Sequence, residues 1–91
     1  MSKGETLERV AAIVAESLGI EAGTSGNFSA IYFAHLGKDL DADSLDMIDI
    51  ELDIETAFGI EIGDDSALYK SDLTVRQIAE IVDRIIGDQT S

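Results

Sequence analysis

The 91 residues carry 19 Asp and Glu against 6 Lys and Arg, a net charge of −13, with 45% hydrophobic residues and no Cys, Pro or Trp. A chain of this size builds one modest core, so a single domain over residues 1–91 is expected. Without Cys there is neither a disulfide framework nor a thiolate metal site, the acidity argues against nucleic-acid phosphates and anionic membranes as partners, and the apolar fraction argues against a disordered acidic tail. No stretch reaches the length of a membrane span, and the polar opening MSKGE has no signal-peptide core, so stable membrane insertion is not expected and a cytoplasmic location is.

Along the chain, Leu7, Val10, Ala11, Val14 and Leu18 recur on one face of a helix predicted over residues 5–18 and closed by Gly19. Residues 19–43 have no period and predict a long ordered loop. Its turn-rich part is EAGTSGN, and its expected anchors are Phe28, Ile31, Phe33 and Leu36. From Ser44 to Phe58 two periods compete. Ile48, Ile50, Leu52 and Ile54 alternate with acids, as in a half-buried strand. Fifteen residues without a turn signal favour a helix instead, with Asp43 as its cap, Asp46 three residues on and Gly59 as its end. As a helix, Leu45, Ile48, Ile54 and Phe58 are expected in the core, Ile50 and Ala57 near it, and Met47 and Leu52 turned towards partners. Then Ile60 and Ile62 point inward from a short linker, and SALYK, residues 66–70, makes a helical turn. Thr74 and Gln77 form a capping box for a last helix with the stripe Val75, Ile78, Ala79, Val82, Ile85 and Ile86. Gly87 is expected to stop that helix, and the last four residues to fray.

Several chemistries lack parts. Asp39, Asp41 and Asp43 have the spacing of a calcium loop. Such a loop needs Gly at its sixth position and Glu at its twelfth. Starting at Asp39 these are Ser44 and Ile50, and starting at Asp41 they are Asp46 and Leu52. His35, the single histidine, lies nine residues from Ser44 with no oxyanion motif, so no serine-hydrolase triad is assembled. There is no Gly-rich phosphate loop. No catalytic residue and no metal site is therefore assigned. Ser44 stands apart because a helix starting there would aim free N–H groups and the positive end of its dipole at a phosphate on its hydroxyl.

The stretch DADSLDMIDIELDIETAFGIEI strongly resembles the acyl carrier protein family, whose hallmark D-S-L motif reads here as Asp43, Ser44 and Leu45. The resemblance extends through ESLGI at the end of the first helix and LTVRQIAEIV in the last, covering Leu7 to Ile86. It implies an all-α four-helix bundle, three long helices and one short with a long first loop, and it favours the helix over the strand after Ser44. It implies a 4′-phosphopantetheine arm attached to Ser44 by a phosphopantetheinyl transferase, the arm's thiol holding acyl groups as thioesters. The chain would then be a monomeric carrier for fatty acid or related lipid synthesis, and not an enzyme. Synthases and acyltransferases with basic patches would dock on Asp43, Asp46, Met47, Asp49, Glu51, Leu52, Asp53 and Glu55. An acyl chain would slide between the helices beside Phe33, Ile48, Ile54, Ile60, Ile62 and Ile78, each buried CH₂ contributing about 0.8 kcal/mol. Two alternatives stay open: a carrier of polyketide or aminoacyl intermediates, and an unmodified acidic adaptor.

The chain also departs from the family pattern. Asp41 replaces the usual Gly two residues before Asp43. Glu51 stands where carriers of primary fatty acid synthesis commonly have an apolar residue near the acyl slot. Gly63 stands where Pro often begins the next segment, and the first loop is longer than in typical members. These differences point to a specialised carrier.

Overall fold

A computed structural model describes residues 3–22, 28–63, 68 and 71–90. The fold is all-α. In order it has α1 (Lys3–Leu18), a 3₁₀ turn (Ser29–Ile31), α2 (Ser44–Phe58) and α3 (Val75–Thr90). The backbone of α1 comes close to both α3 and α2, while α2 and α3 approach one another far less. Val10, Ala11, Val14 and Ala15 of α1 meet Met47, Ile50 and Ile54 of α2 and Val75, Ile78, Ala79 and Val82 of α3 in one buried cluster. The short helical turn expected over residues 66–70 lies, apart from the fully buried Leu68, outside the described residues.

Several helix boundaries have a local cause. Gly19 and Gly59 adopt φ of 72° and 65°, the left-handed conformation that ends a helix without a Cβ penalty. The Thr74 N–H donates to Gln77 Oε1 at 2.8 Å and the Gln77 N–H to Thr74 Oγ1 at 3.1 Å, so the expected capping box is present. Gly87 does not stop α3, which runs on to Thr90. Its φ is not positive, so nothing turns the chain there, and the glycine costs the helix only about 1 kcal/mol relative to Ala.

The described part of the long first loop, residues 28–43, anchors itself on the start of α3. Leu36 is fully buried, a gain of about 1.5–3 kcal/mol. Its N–H donates to Leu73 O at 3.0 Å, and His35 and Thr74 form an isolated β-bridge. The Asp72 carboxylate accepts from the Gly37 and Lys38 N–H groups at 2.8 and 3.0 Å. A Cβ on Gly37 would stand 3.2 Å from that carboxylate, a tight contact that a larger residue would relieve only by shifting Asp72. Of the expected anchors, Ile31 and Leu36 are buried and Phe28 is partly buried. Phe33 is 68% exposed and lies under the Arg76 guanidinium, 5.4 Å from the ring centroid. It is therefore not a core anchor, and it lines an open groove with Leu7 of α1 and Arg76 and Ala79 of α3.

Helix α2 settles the two competing periods by carrying two helical stripes at once. Met47, Ile50 and Ile54 face inward. Leu45, Ile48 and Leu52 form a second stripe with the same three-then-four spacing on the other side, 71%, 37% and 53% exposed. Interleaved, the two stripes read as strict alternation. Expectation is thus reversed for Leu45 and Ile48, which lie outside the core, and for Met47, which lies inside it. Leu52 faces outward and Ile54 inward as expected. Phe58 packs partly buried beneath the Arg9 guanidinium, 4.7 Å from the ring centroid.

Candidate functional site

Ser44 is the first residue of α2 and is exposed. The chain reaches it through a tight turn. Asp39 and Leu40 N–H groups donate to His35 O, Asp41 N–H to Gly37 O at 3.1 Å and Ala42 N–H to Leu36 O at 2.8 Å. The buried Ala42 plugs this turn into the core. Asp41 takes a φ of 62°, a left-handed conformation that Asp tolerates better than most residues. The usual glycine of the pattern is thus replaced by one of the few side chains that can follow the same path. Asp39 accepts the His35 N–H at 2.9 Å, and this bond holds its carboxyl below the ordinary aspartate range.

The helix cap forms as the sequence predicts. Asp43 is extended, with φ −92° and ψ −177°. Its carboxylate accepts the Asp46 N–H at 2.8 Å, and Asp46 accepts the Asp43 N–H at 3.2 Å. The first intrahelical bond runs from Met47 N–H to Asp43 O at 3.0 Å. The N–H groups of Ser44 and Leu45 are left without an intrahelical acceptor, as helix geometry requires. No other group among the described residues accepts from them, or pairs with the Ser44 hydroxyl. The start of α3 is the opposite case. Its Val75 and Arg76 N–H groups donate to Ala34 O and Tyr32 O at 3.2 and 2.9 Å, and Gln77 is capped by Thr74. One helix start is sealed by the first loop, and the other is open beside an exposed hydroxyl.

The acids of α2 divide into two groups. Asp46, Asp49 and Asp53 recur at helical spacing along one flank of the exposed apolar stripe, Asp49 and Asp53 exposed and Asp46 partly buried in the cap. Glu51 and Glu55 lie on the other flank and are partly buried. Glu51 Oε1 accepts the Leu68 N–H at 3.1 Å, and Glu55 Oε2 accepts the Ile62 N–H at 2.8 Å. These two expected docking acids also tie the connection to α3 onto α2, each accepting a main-chain N–H that lies outside the long helices. Met47, 9% exposed, is likewise no surface contact. Of the expected slot residues, Ile54, Ile60, Ile62 and Ile78 are buried, whereas Phe33 and Ile48 are not.

Further links have no signature in the sequence. The fully buried Thr6 donates its hydroxyl to Asp83 at 2.7 Å, joining α1 to α3. Arg9 reaches Ala57 O at 3.4 Å at the end of α2. No spacing rule announces contacts made across the bundle. Glu51 does have a local signal: Ser44, Ile48, Glu51 and Glu55 follow the i, i+4, i+7, i+11 spacing of one helix face. Among the described residues no group of three or more His, Cys, Asp or Glu could hold a metal ion, and no helix is long and apolar enough to cross a membrane.

No protein-family profile matches the chain. It is 31% identical over 91 residues to the acyl carrier protein of Rubrobacter xylanophilus, covering 100% of both chains. It is 40% identical over 70 residues to the acyl carrier protein of Prochlorococcus marinus, covering 74% of this chain and 78% of that one. It is 35% identical over 86 residues to acyl carrier protein 2, chloroplastic, of Hordeum vulgare, covering 94% of this chain but only 61% of that protein's length.

Proposed function

Because the chain belongs to the acyl carrier protein family, we propose that it carries acyl groups as thioesters on a 4′-phosphopantetheine arm esterified to Ser44, in fatty acid or related lipid synthesis. One observation carries this reading: the Ser44 hydroxyl is exposed and, among the described residues, unpaired at a helix start whose first two amides are also unengaged there. A phosphodiester on that oxygen fits. The amides of Ser44 and Leu45 and the helix dipole favour its negative charge, and no side chain among the described residues bonds to the hydroxyl. The arm would supply a thiol, which this Cys-free chain lacks.

The chain's own residues then position and present. The Asp43–Asp46 cap fixes the first turn of α2 and so fixes the direction in which Ser44 points. The exposed stripe of Leu45, Ile48 and Leu52, edged by Asp46, Asp49 and Asp53, suits the basic rim and apolar centre of a partner enzyme. A phosphopantetheinyl transferase, synthases and acyltransferases are the partners this surface would serve. The buried side chains of Ile54, Ile62, Leu68 and Ile78 give an apolar interior between α2, the connection and α3, where part of an acyl chain would shelter.

The test is intact mass after incubation with coenzyme A and a broad-specificity phosphopantetheinyl transferase, followed by peptide mapping. One phosphopantetheine is expected on Ser44. Ser44→Ala is expected to remain helical by circular dichroism and to gain no mass. Modification that persists in this variant, or none in the folded wild-type chain, would overturn the assignment.

A further inference from the structure

Ser44 shares its face of α2 with Ile48, Glu51 and Glu55, and Glu51 lies two turns, about 10 Å, along the axis from it. Anything attached to Ser44 that folds back along α2 towards the interior passes Ile48 and meets Glu51. This carboxylate differs from the solvated acids Asp49 and Asp53. It is partly buried and has buried Met47 and Ile54 one turn to either side. One oxygen accepts the N–H of Leu68, whose side chain is fully buried. The other oxygen has no donor among the described residues.

An alkyl chain entering between α2 and the connection would strip water from this carboxylate and return no hydrogen bond. It would also press on the tie to Leu68, and a buried N–H that loses its acceptor is costly. A chain with a hydroxyl or an amine near its thioester would donate to the open carboxylate oxygen of this partly buried side chain. The tie to Leu68 would then survive. Glu55 does not share this position: its bond is to Ile62, close in sequence beyond the helix end, and it is one turn further from Ser44.

Resting on the reading of Ser44 as the carrier of the arm, we infer that Glu51 is a specificity-determining residue: it admits acyl groups bearing a hydrogen-bond donor near the thioester and turns away plain alkyl chains.

The test loads Ser44 from three coenzyme A derivatives, octanoyl, β-hydroxyoctanoyl and β-aminooctanoyl, in the wild type, Glu51→Leu and Glu51→Gln. Mass at Ser44 is read first, then cleavage of the thioester by hydroxylamine and exchange of the Leu68 amide. In the wild type, at least one donor-bearing chain should be cleaved about fivefold more slowly than octanoyl. The arm that slows separates a hydroxyacyl from an aminoacyl cargo. In Glu51→Leu the preference should reverse, with octanoyl now the protected chain. Before any loading, the Leu68 amide should exchange faster in Glu51→Leu than in the wild type, and Glu51→Gln, which keeps an acceptor oxygen, should restore its protection. Loading with equal protection of all three chains in the wild type would overturn this inference alone. Failure to load at all would overturn the carrier reading and this inference with it.

Discussion

Asp43 shows how much one residue decides at the start of α2. Its carboxylate takes the Asp46 N–H, its carbonyl takes the first intrahelical bond, and its own N–H is taken by Asp46. It stands immediately before Ser44, so the cap that stabilises the helix also orients the hydroxyl. Replacing Asp43 by Ala should cost about 1 kcal/mol of stability, read as a lower urea midpoint with an unchanged slope. Asp43→Ser, which can still accept from Asp46, should recover most of that loss. Full stability in Asp43→Ala would mean that the cap contributes nothing. Asp41 next to this motif illustrates a different constraint. The backbone there is left-handed, φ 62°, and Asp follows it where Gly would do so freely.

At the scale of elements, α2 is apolar on two sides and α3 on one. That is why periodicity is enough to orient α3 and not enough to orient α2. The type and both ends of α2 are legible in the sequence: Asp43 before it, Gly59 after it, and fifteen residues without a turn. Its orientation is not, because Leu45–Ile48–Leu52 and Met47–Ile50–Ile54 are equally good helical stripes. In α3 the difference from expectation is at the end, because Gly87 continues the helix instead of stopping it. It sits within the last turns, exposed, and a Cβ added there would meet nothing within 4 Å. Gly87→Ala should therefore stabilise the protein by about 0.5–1 kcal/mol, visible as a raised Tm in a thermal melt. An unchanged or lower Tm would show that the last turn is not helical in solution.

For the whole molecule, charge is the dominant property. Eleven acids and no base lie between Lys38 and Lys70. The structure divides those on α2 by task. Glu51 and Glu55 hold the connection to α3, whereas Asp49 and Asp53 stand in solvent beside the apolar stripe. Long-range attraction of a basic enzyme should rest on the second pair. Asp49→Asn with Asp53→Asn is expected to slow modification by a basic transferase several-fold at low salt, about a fivefold effect that shrinks towards none near 1 M salt as the Debye length falls to about 3 Å. The double variant should keep its helical circular dichroism. Equal rates at low salt would place the docking surface elsewhere.

The sequence by itself determined what depends on neighbours along the chain. The helices, the residues of the two capping boxes, the glycine ends of α1 and α2, the D-S-L motif and the acidic balance are all local signals, because capping, periodicity and turn conformation are short-range physics. Tertiary structure alone decided which of the two apolar stripes of α2 is buried. It also decided that Phe33 lies outside under Arg76, that Thr6 pairs with Asp83, and that Glu51 and Glu55 turn from the surface to the connection. A side chain's hydrophobicity or charge fixes what kind of neighbour it needs, but not which one. In a bundle where α1 packs against both α2 and α3, most of those neighbours come from a distant part of the chain, and even the nearby Ile62 reaches Glu55 only because the chain folds back beyond Gly59.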